Sequence, residues 1–261
     1  MSYTMALRQE FPAPHQAAVL PFNARPVERA RPAAGCESCC LRKECLPGGL
    51  AEGDIHLFDE LVSTKRKVAR GAALFRAGDG FEALYSVHSG AFKTLVPSRH
   101  GNEKITGFHL QGELIGLDAI SNSRHGGTAI ALEDSEVCVL PFARLEAAAL
   151  RIPAIQHRLL RALSSDISRD HGLMLLLGAM TAGQRLAAFL LSLSHRYARM
   201  GYASGRFALR MTREEIGSYL GLTLETVSRL FSRFQREGLL AVQQRDIEIR
   251  NTGRLMEMVG R

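Results

Sequence analysis

Hydrophobic and polar residues alternate in short runs between residues 65 and 141, and glycine-containing turns separate the runs. The runs cover residues 73–75, 83–87, 91–95, 105–108, 113–115, 128–132 and 137–140. A period of two is typical of strands with one buried face, and many short strands at close spacing are typical of a small barrel or roll. The pattern predicts an antiparallel β-roll within residues 51–150. Ahead of it, Ile55, Phe58, Leu61 and Val62 predict a short amphipathic helix that Asp54 caps.

The hydrophobic period becomes helical after Pro153, and no proline follows it. Positions three or four apart form one stripe: Ile152, Ile155, Leu159, Leu163, Ile167, Asp170, Met174 and Leu177. Such a stripe can pack against its own copy, so residues 151–180 are predicted to form a dimerisation helix and the protein a homodimer. Asp170 stands where an apolar residue is expected. Two carboxylates facing each other would weaken the dimer, although an Asp170 that faces water at a bend is an equally good interpretation.

Residues 181–261 contain the signals of a helix-turn-helix followed by a hairpin wing. Thr212 and Glu215 form a capping box, Gly221 permits a left-handed turn, and Thr223 caps a second helix. Residues 239–250 then have the pattern of a hairpin, whose Arg245 is placed to touch phosphate. The predicted fold is α+β: an N-terminal antiparallel β-roll, a long helix, and a C-terminal winged helix-turn-helix.

The exposed face of the second helix has the chemistry of a DNA-reading surface. The candidate DNA-binding residues are Glu225, Thr226, Ser228, Arg229 and Arg233. A carboxylate accepts from cytosine N4, and a guanidinium donates two bonds to guanine. The alternative is a surface ion pair between Glu225 and Arg229, four residues apart. Residues 181–261 contain 13 Arg, no Lys and 7 acidic residues, so nearly all of the net charge of +7 lies here. A basic region of this kind favours a polyanion, double-stranded DNA, as partner.

Residues 1–35 contain five of the nine prolines and no periodic pattern, which predicts a flexible tail. The N-terminus lacks the cationic and apolar regions of a secretory signal, and no stretch is long and apolar enough to span a bilayer. We therefore expect a cytoplasmic protein without a membrane partner.

Four of the five cysteines lie within ten residues, at Cys36, Cys39, Cys40 and Cys45, and the fifth is Cys138. Cysteines that only fill a core scatter along periodic faces, so this spacing indicates a loop, residues 36–50, that wraps a metal or cluster. Cys36, Cys39 and Cys45, three and nine positions apart, can converge on one centre, and a four-ligand site then needs one more donor, which Cys138 can supply. A structural zinc ion and an iron–sulfur cluster both remain open on the spacing alone.

These motifs together resemble the CRP/FNR family of bacterial regulators, and within it the oxygen-sensing FNR (fumarate and nitrate reduction) branch. The similar stretches are residues 105–110, 112–116, 137–142, 185–189 and 222–230. The resemblance implies one [4Fe-4S] cluster per subunit, held by Cys36, Cys39, Cys45 and Cys138. It also implies that Glu225, Ser228 and Arg229 read a TTGAT half-site of an inverted repeat. Oxygen would convert the cluster to [2Fe-2S] and then destroy it, ending dimerisation and DNA binding. RNA polymerase is a further implied partner, with residues 98–102 as the candidate surface. Cys40 departs from the family pattern.

Other functions are less compatible with these residues. The cyclic-nucleotide branch of the family continues its phosphate-binding segment to an Arg-Ser pair, whereas this chain has Gly127 and Thr128 there, so no cyclic nucleotide is expected. An iron–sulfur electron carrier or enzyme is the alternative from another class. The scattered histidines and the absence of paired carboxylates beside a nucleophile favour a protein that is not an enzyme.

Overall fold

The computed structural model describes residues 35–39, 41–62, 64–97, 103–203 and 205–260. The predicted tail up to residue 34, Cys40 and the candidate surface at residues 98–102 lie outside these described residues. Cys36–Ser38 forms a 3₁₀ turn, and helix α1 spans Glu52–Leu61. Eight strands follow: β1 Thr64–Val68, β2 Ala73–Phe75, β3 Ala83–Ser89, β4 Phe92–Pro97, β5 Glu103–His109, β6 Leu114–Ile115, β7 Thr128–Ala131 and β8 Ser135–Pro141.

The eight strands form two four-stranded sheets, with the orders β1-β8-β3-β6 and β2-β7-β4-β5. All of their pairings are antiparallel, as the alternating sequence predicts. Along β8, Val137 is fully buried and Cys138 is half-buried, so these neighbours face opposite sides of the sheet. The antiparallel roll is therefore confirmed, and β8 brings Cys138 to the face away from Val137.

Helix α1 begins earlier than the sequence suggests, and the cap prediction is wrong. Ala51 is the N-cap and makes no side-chain bond, while Asp54 lies inside the first turn. A carboxylate in the first turn is stabilised by the helix dipole without acting as a cap. Ile55 and Phe58 are buried as expected.

The long helix has a separate helix in front of it. Helix α2 spans Phe142–Arg151 and helix α3 spans Pro153–Ala179. Ile152 between them is extended, with φ −122° and ψ 94°, because the residue before a proline is pushed out of the helical region. Pro153 itself occupies the first helical position, where its missing N–H costs nothing.

The C-terminal elements form a winged helix-turn-helix. They are α4 Ala182–Arg199, β9 Arg206–Ala208, α5 Arg213–Leu220, α6 Leu224–Arg236, β10 Leu240–Gln243, β11 Asp246–Ile249 and α7 Thr252–Val259. Thr212 and Glu215 form the predicted capping box, Gly221 has φ 64°, and the Thr223 side chain caps α6. Strand β9 adds a third strand to the predicted wing.

The helix-turn-helix packs directly on the roll. Helix α5 lies against β5, where the Phe108 and Tyr219 rings are 5.2 Å apart. The Lys93 ammonium donates to the Glu215 carboxylate at 2.8 Å, and the Ile105 amide donates to the Ser218 hydroxyl at 3.2 Å. Roll and DNA-binding elements therefore share one continuous hydrophobic cluster. Among the helices of the described residues, none is long and apolar enough to cross a membrane.

Candidate metal centre and nucleic-acid interface

The cysteine arm, described at residues 35–39 and 41–50, consists of tight turns anchored on α1 and the roll. The Cys36 amide donates to the Asp59 carboxylate of α1 at 2.6 Å. The Cys39 amide closes the 3₁₀ turn on the Cys36 carbonyl at 3.3 Å. Leu46 and Leu50 are buried at the end of the arm. These contacts fold a glycine- and charge-rich segment back onto the roll beside β3 and β8.

The sheet register joins the arm to Cys138. Strand β8 pairs with β3 so that Cys138 lies opposite Ser86, and with β1 so that Cys138 lies opposite Lys65. Directly opposed residues of an antiparallel pair project to the same face. The Cys45 sulfur is 2.9 Å from the Ser86 hydroxyl. Cys45 of the arm and Cys138 of the sheet therefore both lie next to the Ser86 side chain.

All four described cysteines line a single cavity, together with Ser86 and His88. The His88 ring nitrogen Nδ1 lies 4.0 Å from the Cys39 sulfur, and Nε2 lies 3.0 Å from the Lys65 ammonium. Within the part of the chain that the structure describes, no three His, Cys, Asp or Glu side chains form a group that could hold a single metal ion. The set of four soft sulfur donors in an otherwise largely apolar cavity suits a metal–sulfur group.

Burial makes these thiols harder to deprotonate. It raises the pKa of Cys36, reinforced by the Asp59 carboxylate, and it raises the pKa of Cys45. It also raises the pKa of Cys138 to about 12, and a Cys45 thiolate would repel a Cys138 thiolate. Neighbouring thiolates disfavour one another unless a cation is present, and metal binding relieves this by displacing the protons.

Helix α6 presents the predicted DNA-reading face to solvent. The Arg229 and Glu225 side chains are 83% and 79% exposed, and their charged ends are 3.6 Å apart. Ser228 and Arg233 are also exposed, and Arg233 donates to the Glu237 carboxylate at 2.7 Å. An ion pair this exposed contributes little stability. Breaking it so that Arg229 and Glu225 can bind base edges therefore costs little free energy.

Thr226 differs from its neighbours on that face. It is half-buried, and its hydroxyl lies 2.9 Å from the Thr223 hydroxyl, while its amide donates to the same oxygen at 3.2 Å. Thr226 therefore takes part in the cap of α6, and it faces DNA less directly than Ser228 or Arg229.

Arg213 is a partly buried basic residue of the helix-turn-helix that the sequence pattern did not indicate. It starts α5, and its guanidinium carbon lies 3.2 Å from the centre of the Phe231 ring. One of its terminal nitrogens is buried without a hydrogen-bond partner among the described residues, and burial lowers the pKa of Arg213 to about 10. The only sequence signal is an arginine directly after the Thr212 cap.

The predicted dimer stripe divides between the core and the surface. Ile155 is fully buried in the chain's own hydrophobic cluster and Leu159 packs against that cluster, so Ile155 is wrong as a dimer contact. Leu163 is half-buried and Asp170 is exposed. Among the exposed apolar residues of α3, Leu160, Ile167 and Met174, at 56%, 54% and 62% exposure, recur every seven residues, and Leu175 beside Met174 is 61% exposed. A heptad repeat indicates a helix-pairing face. This repeat includes Leu160, which is not part of the predicted stripe.

A β-roll joined through a long helix to a winged helix-turn-helix with exposed arginines defines a DNA-binding transcription regulator. A model of the cyclic nucleotide-binding domain matches residues 65–151, and a model of the Crp-like helix-turn-helix domain matches residues 184–258. The chain belongs to the CRP/FNR family, whose members are DNA-binding regulators and not enzymes.

Relatives with curated names cover most of the chain. The transcriptional regulatory protein btr of Bordetella pertussis is 47% identical over 87% of this chain and 94% of its own length. The transcriptional activator Anr of Pseudomonas protegens is 44% identical over 89% and 95% of the two chains. The fumarate and nitrate reduction regulatory protein of Escherichia coli K12 is 41% identical over 86% and 90%.

Solved structures show the same architecture. FixK2 from Bradyrhizobium japonicum aligns with a TM-score of 0.69 and 33% identity, over 75% of this chain and 96% of that one. A CRP/FNR family regulator from Thermus thermophilus aligns with a TM-score of 0.59 over 76% and 99%. At 20% identity, the Thermus protein shows a shared fold alone.

Proposed function

We propose that this chain is an oxygen-responsive transcription regulator in which Cys36, Cys39, Cys45 and Cys138 hold an iron–sulfur cluster, of the [4Fe-4S] type, in each subunit. The observation that carries the proposal is that three arm cysteines and one sheet cysteine line a single cavity. Relatives named as fumarate and nitrate reduction regulators support the same function. When bound, the cluster supplies the reactivity toward oxygen.

The protein's own residues then divide the work. Ser86 and His88 contact the sulfur atoms of Cys45 and Cys39, and Asp59 holds the Cys36 amide, so these side chains orient the donors. The arm shares a hydrophobic cluster with the first turns of α3. A change in the arm therefore reaches the helix that carries Leu160, Ile167 and Met174.

Dimerisation along α3 provides the output. One recognition helix makes too few base contacts for tight specific binding, whereas two helices joined by a dimer add their contributions. We propose that Glu225, Ser228 and Arg229 of each copy read one TTGAT half-site. In a two-fold symmetric dimer the half-sites lie about one helical turn, roughly 34 Å, apart or a multiple of that distance. RNA polymerase is the proposed partner on bound DNA, and the cytoplasm is the proposed site of action.

The deciding experiment compares the protein purified without oxygen with the same sample after exposure to air. We expect a brown protein that contains iron and acid-labile sulfide, dimerises, and shifts DNA with a TTGAT inverted repeat, and we expect air to abolish all three properties. Cys138→Ser should lose iron and sulfide while keeping its circular dichroism spectrum. Thr128→Ser, in another strand of the roll, is the matched control. A colourless protein with one zinc per chain would overturn the proposal and favour a structural zinc site.

A further inference from the structure

The turn of the cysteine arm that contains Cys45 is held from outside by a residue of α3. Terminal nitrogen Nη2 of Arg158 donates to the Lys43 carbonyl at 2.8 Å and to the Cys45 carbonyl at 3.3 Å. Both acceptors are backbone atoms, so the contact depends on where the turn lies and not on its side chains. Hydrogen bonds from a charged donor are about twice as strong as neutral ones.

The surroundings of Arg158 are shaped for this contact. A Cβ atom on Gly48 would overlap the same Arg158 nitrogen, so only glycine permits the approach. The Nε atom of Arg158 is buried and has no hydrogen-bond partner among the described residues. Leaving a buried donor unpaired costs free energy. The Arg158 guanidinium therefore lies where its Nη2 atom reaches the arm carbonyls, and this position leaves its Nε atom without a hydrogen bond.

The same three-residue turn also contacts α4. The carboxylate of Glu44, between the two gripped carbonyls, pairs with the Arg199 guanidinium at 2.7 Å. Arg199 is 60% exposed on its side of this pair, so the ion pair is weak by itself. Of the two arginines that contact the arm, Arg158 is half-buried and Arg199 is exposed. Arg158 lies two residues before Leu160, the first residue of the exposed heptad repeat.

We propose that Arg158 is the positioning residue that ties the Cys45 turn to α3, so that a change at the cysteine cavity moves the start of the dimer stripe. This inference rests on the proposed function, which supplies the change at the cysteine cavity. The hydrogen bonds from Arg158 to the arm are present without any bound group. Arg158 contacts the backbone beside a proposed ligand and no cysteine sulfur. Its substitution should therefore leave the donor set intact and remove the connection.

The first test uses the loaded full-length protein and measures the dimer dissociation constant by sedimentation, before and after exposure to air. Arg158→Gln should keep its iron and sulfide content. The ratio of the dissociation constant in air to the constant without oxygen should fall by about tenfold, because one charge-assisted hydrogen-bonding contact is lost. Arg158→Lys, which retains the charge and one donor point, should restore part of the ratio. Arg161→Gln on the same helix, exposed and one turn further on, is the matched control.

The second test uses metal-free, reduced protein and follows the alkylation of Cys45 by iodoacetamide with mass spectrometry. Arg158→Gln should raise the rate several-fold, because the freed turn exposes the Cys45 thiol, although losing the Arg158 charge, which lowers the pKa of Cys45, acts in the opposite direction. Arg161→Gln should not change the rate. A purely structural role would lower the melting temperature but leave the air-to-anaerobic ratio unchanged, and that result would overturn the proposal. If the wild-type protein binds no cluster, the proposed function fails, while the alkylation rates still decide whether Arg158 holds the arm.

Discussion

Glu113, at the edge of the roll, and Arg196, near the end of α4, form a two-pronged ion pair between the roll and the DNA-binding elements. The Glu113 carboxylate accepts from Arg196 Nε at 2.8 Å and from Nη2 at 2.5 Å. Arg196 also donates to the Phe108 carbonyl at 2.6 Å, and the Glu113 carboxylate accepts from the Leu110 amide at 3.0 Å. The side chains are 23% and 16% exposed, so water competes little for either partner.

Replacing Glu113 with Gln should destabilise the protein by about 2–3 kcal/mol, because the Arg196 guanidinium is left largely buried without its counter-charge. Burial by itself raises the pKa of Glu113, but the Arg196 charge outweighs it and lowers the pKa below 4.5. The pair therefore stabilises the fold above that ordinary value, and the contribution disappears as the pH falls through the lowered pKa. Urea unfolding at pH 7 measures the loss. Glu248→Gln, in the exposed pair with Arg206, should change little, and an equal effect in both variants would contradict the prediction.

His109 should make the protein lose stability in mild acid. Its ring is 7% exposed, and burial lowers its pKa to about 4, with Arg169 and Arg196 acting in the same direction and Glu113 opposing them. As the pH falls below 6.5 the unfolded chain takes up a proton that the folded chain refuses, so full stability is present above 6.5 and is lost toward pH 4.

The expected loss from this one group is about 2 kcal/mol between pH 7 and pH 5. His109→Gln should flatten the stability profile in this range by that amount, measured as urea unfolding free energies at the two pH values. His56→Gln, an exposed histidine of α1, is the control. A profile that keeps its full slope in His109→Gln would show that another group titrates there.

Arg229 should determine sequence preference and not general affinity. Arg229→Ala is expected to reduce binding to an inverted TTGAT repeat by about 1–3 kcal/mol per half-site and to relax the preference for guanine, because a bidentate contact is removed. Competition gel shifts with the guanine substituted measure the preference. Arg254→Ala on α7 removes the same charge from an exposed ion pair and is the matched control. An equal loss on all DNA sequences would reduce Arg229 to a phosphate contact.

Asp170 should restrain dimerisation. It is exposed on α3 between Ile167 and Met174, so two copies paired along this face bring two carboxylates together. Their repulsion across a partly solvated contact is on the order of 1–4 kcal/mol. Asp170→Ala should therefore raise the dimer association constant of air-exposed protein by roughly tenfold or more. Sedimentation measures this constant. Glu146→Ala, an exposed acidic residue of α2, should leave it unchanged, and identical profiles for both variants would remove the role of Asp170.

Local sequence signals predicted most of the elements. The capping box at Thr212 and Glu215 and the left-handed Gly221 are contained in a few neighbouring residues, so tertiary context did not overrule them. Helices α2 and α7 and strands β1 and β9 were not predicted. Strand β9 has only three residues and depends on pairing with β11, which no local pattern reveals. Asp54 is not a cap because α1 begins at Glu52, two residues before it, and Asp54 therefore lies inside the first turn.

The candidate sites show the same division. Heptad spacing on α3 identifies apolar positions but does not say whether a position faces the chain's own core or a second copy, and the structure placed Ile155 in the core and Leu160 at the surface. The exposed Glu225 and Arg229 followed from helical spacing alone. The grip of Arg158 on the arm joins residues more than 110 positions apart, and no periodicity indicates such a contact.

The sequence by itself determined most of the strands and helices, where two candidate DNA-reading side chains lie, and which sulfur donors are available, because each depends on spacing within a few residues. Only the tertiary structure decided that Cys138 meets Cys45 over Ser86, since that meeting follows from the register of β8 against β3 and from the way the arm folds back. Long-range positions depend on how whole elements pack, and packing is a property of the complete core.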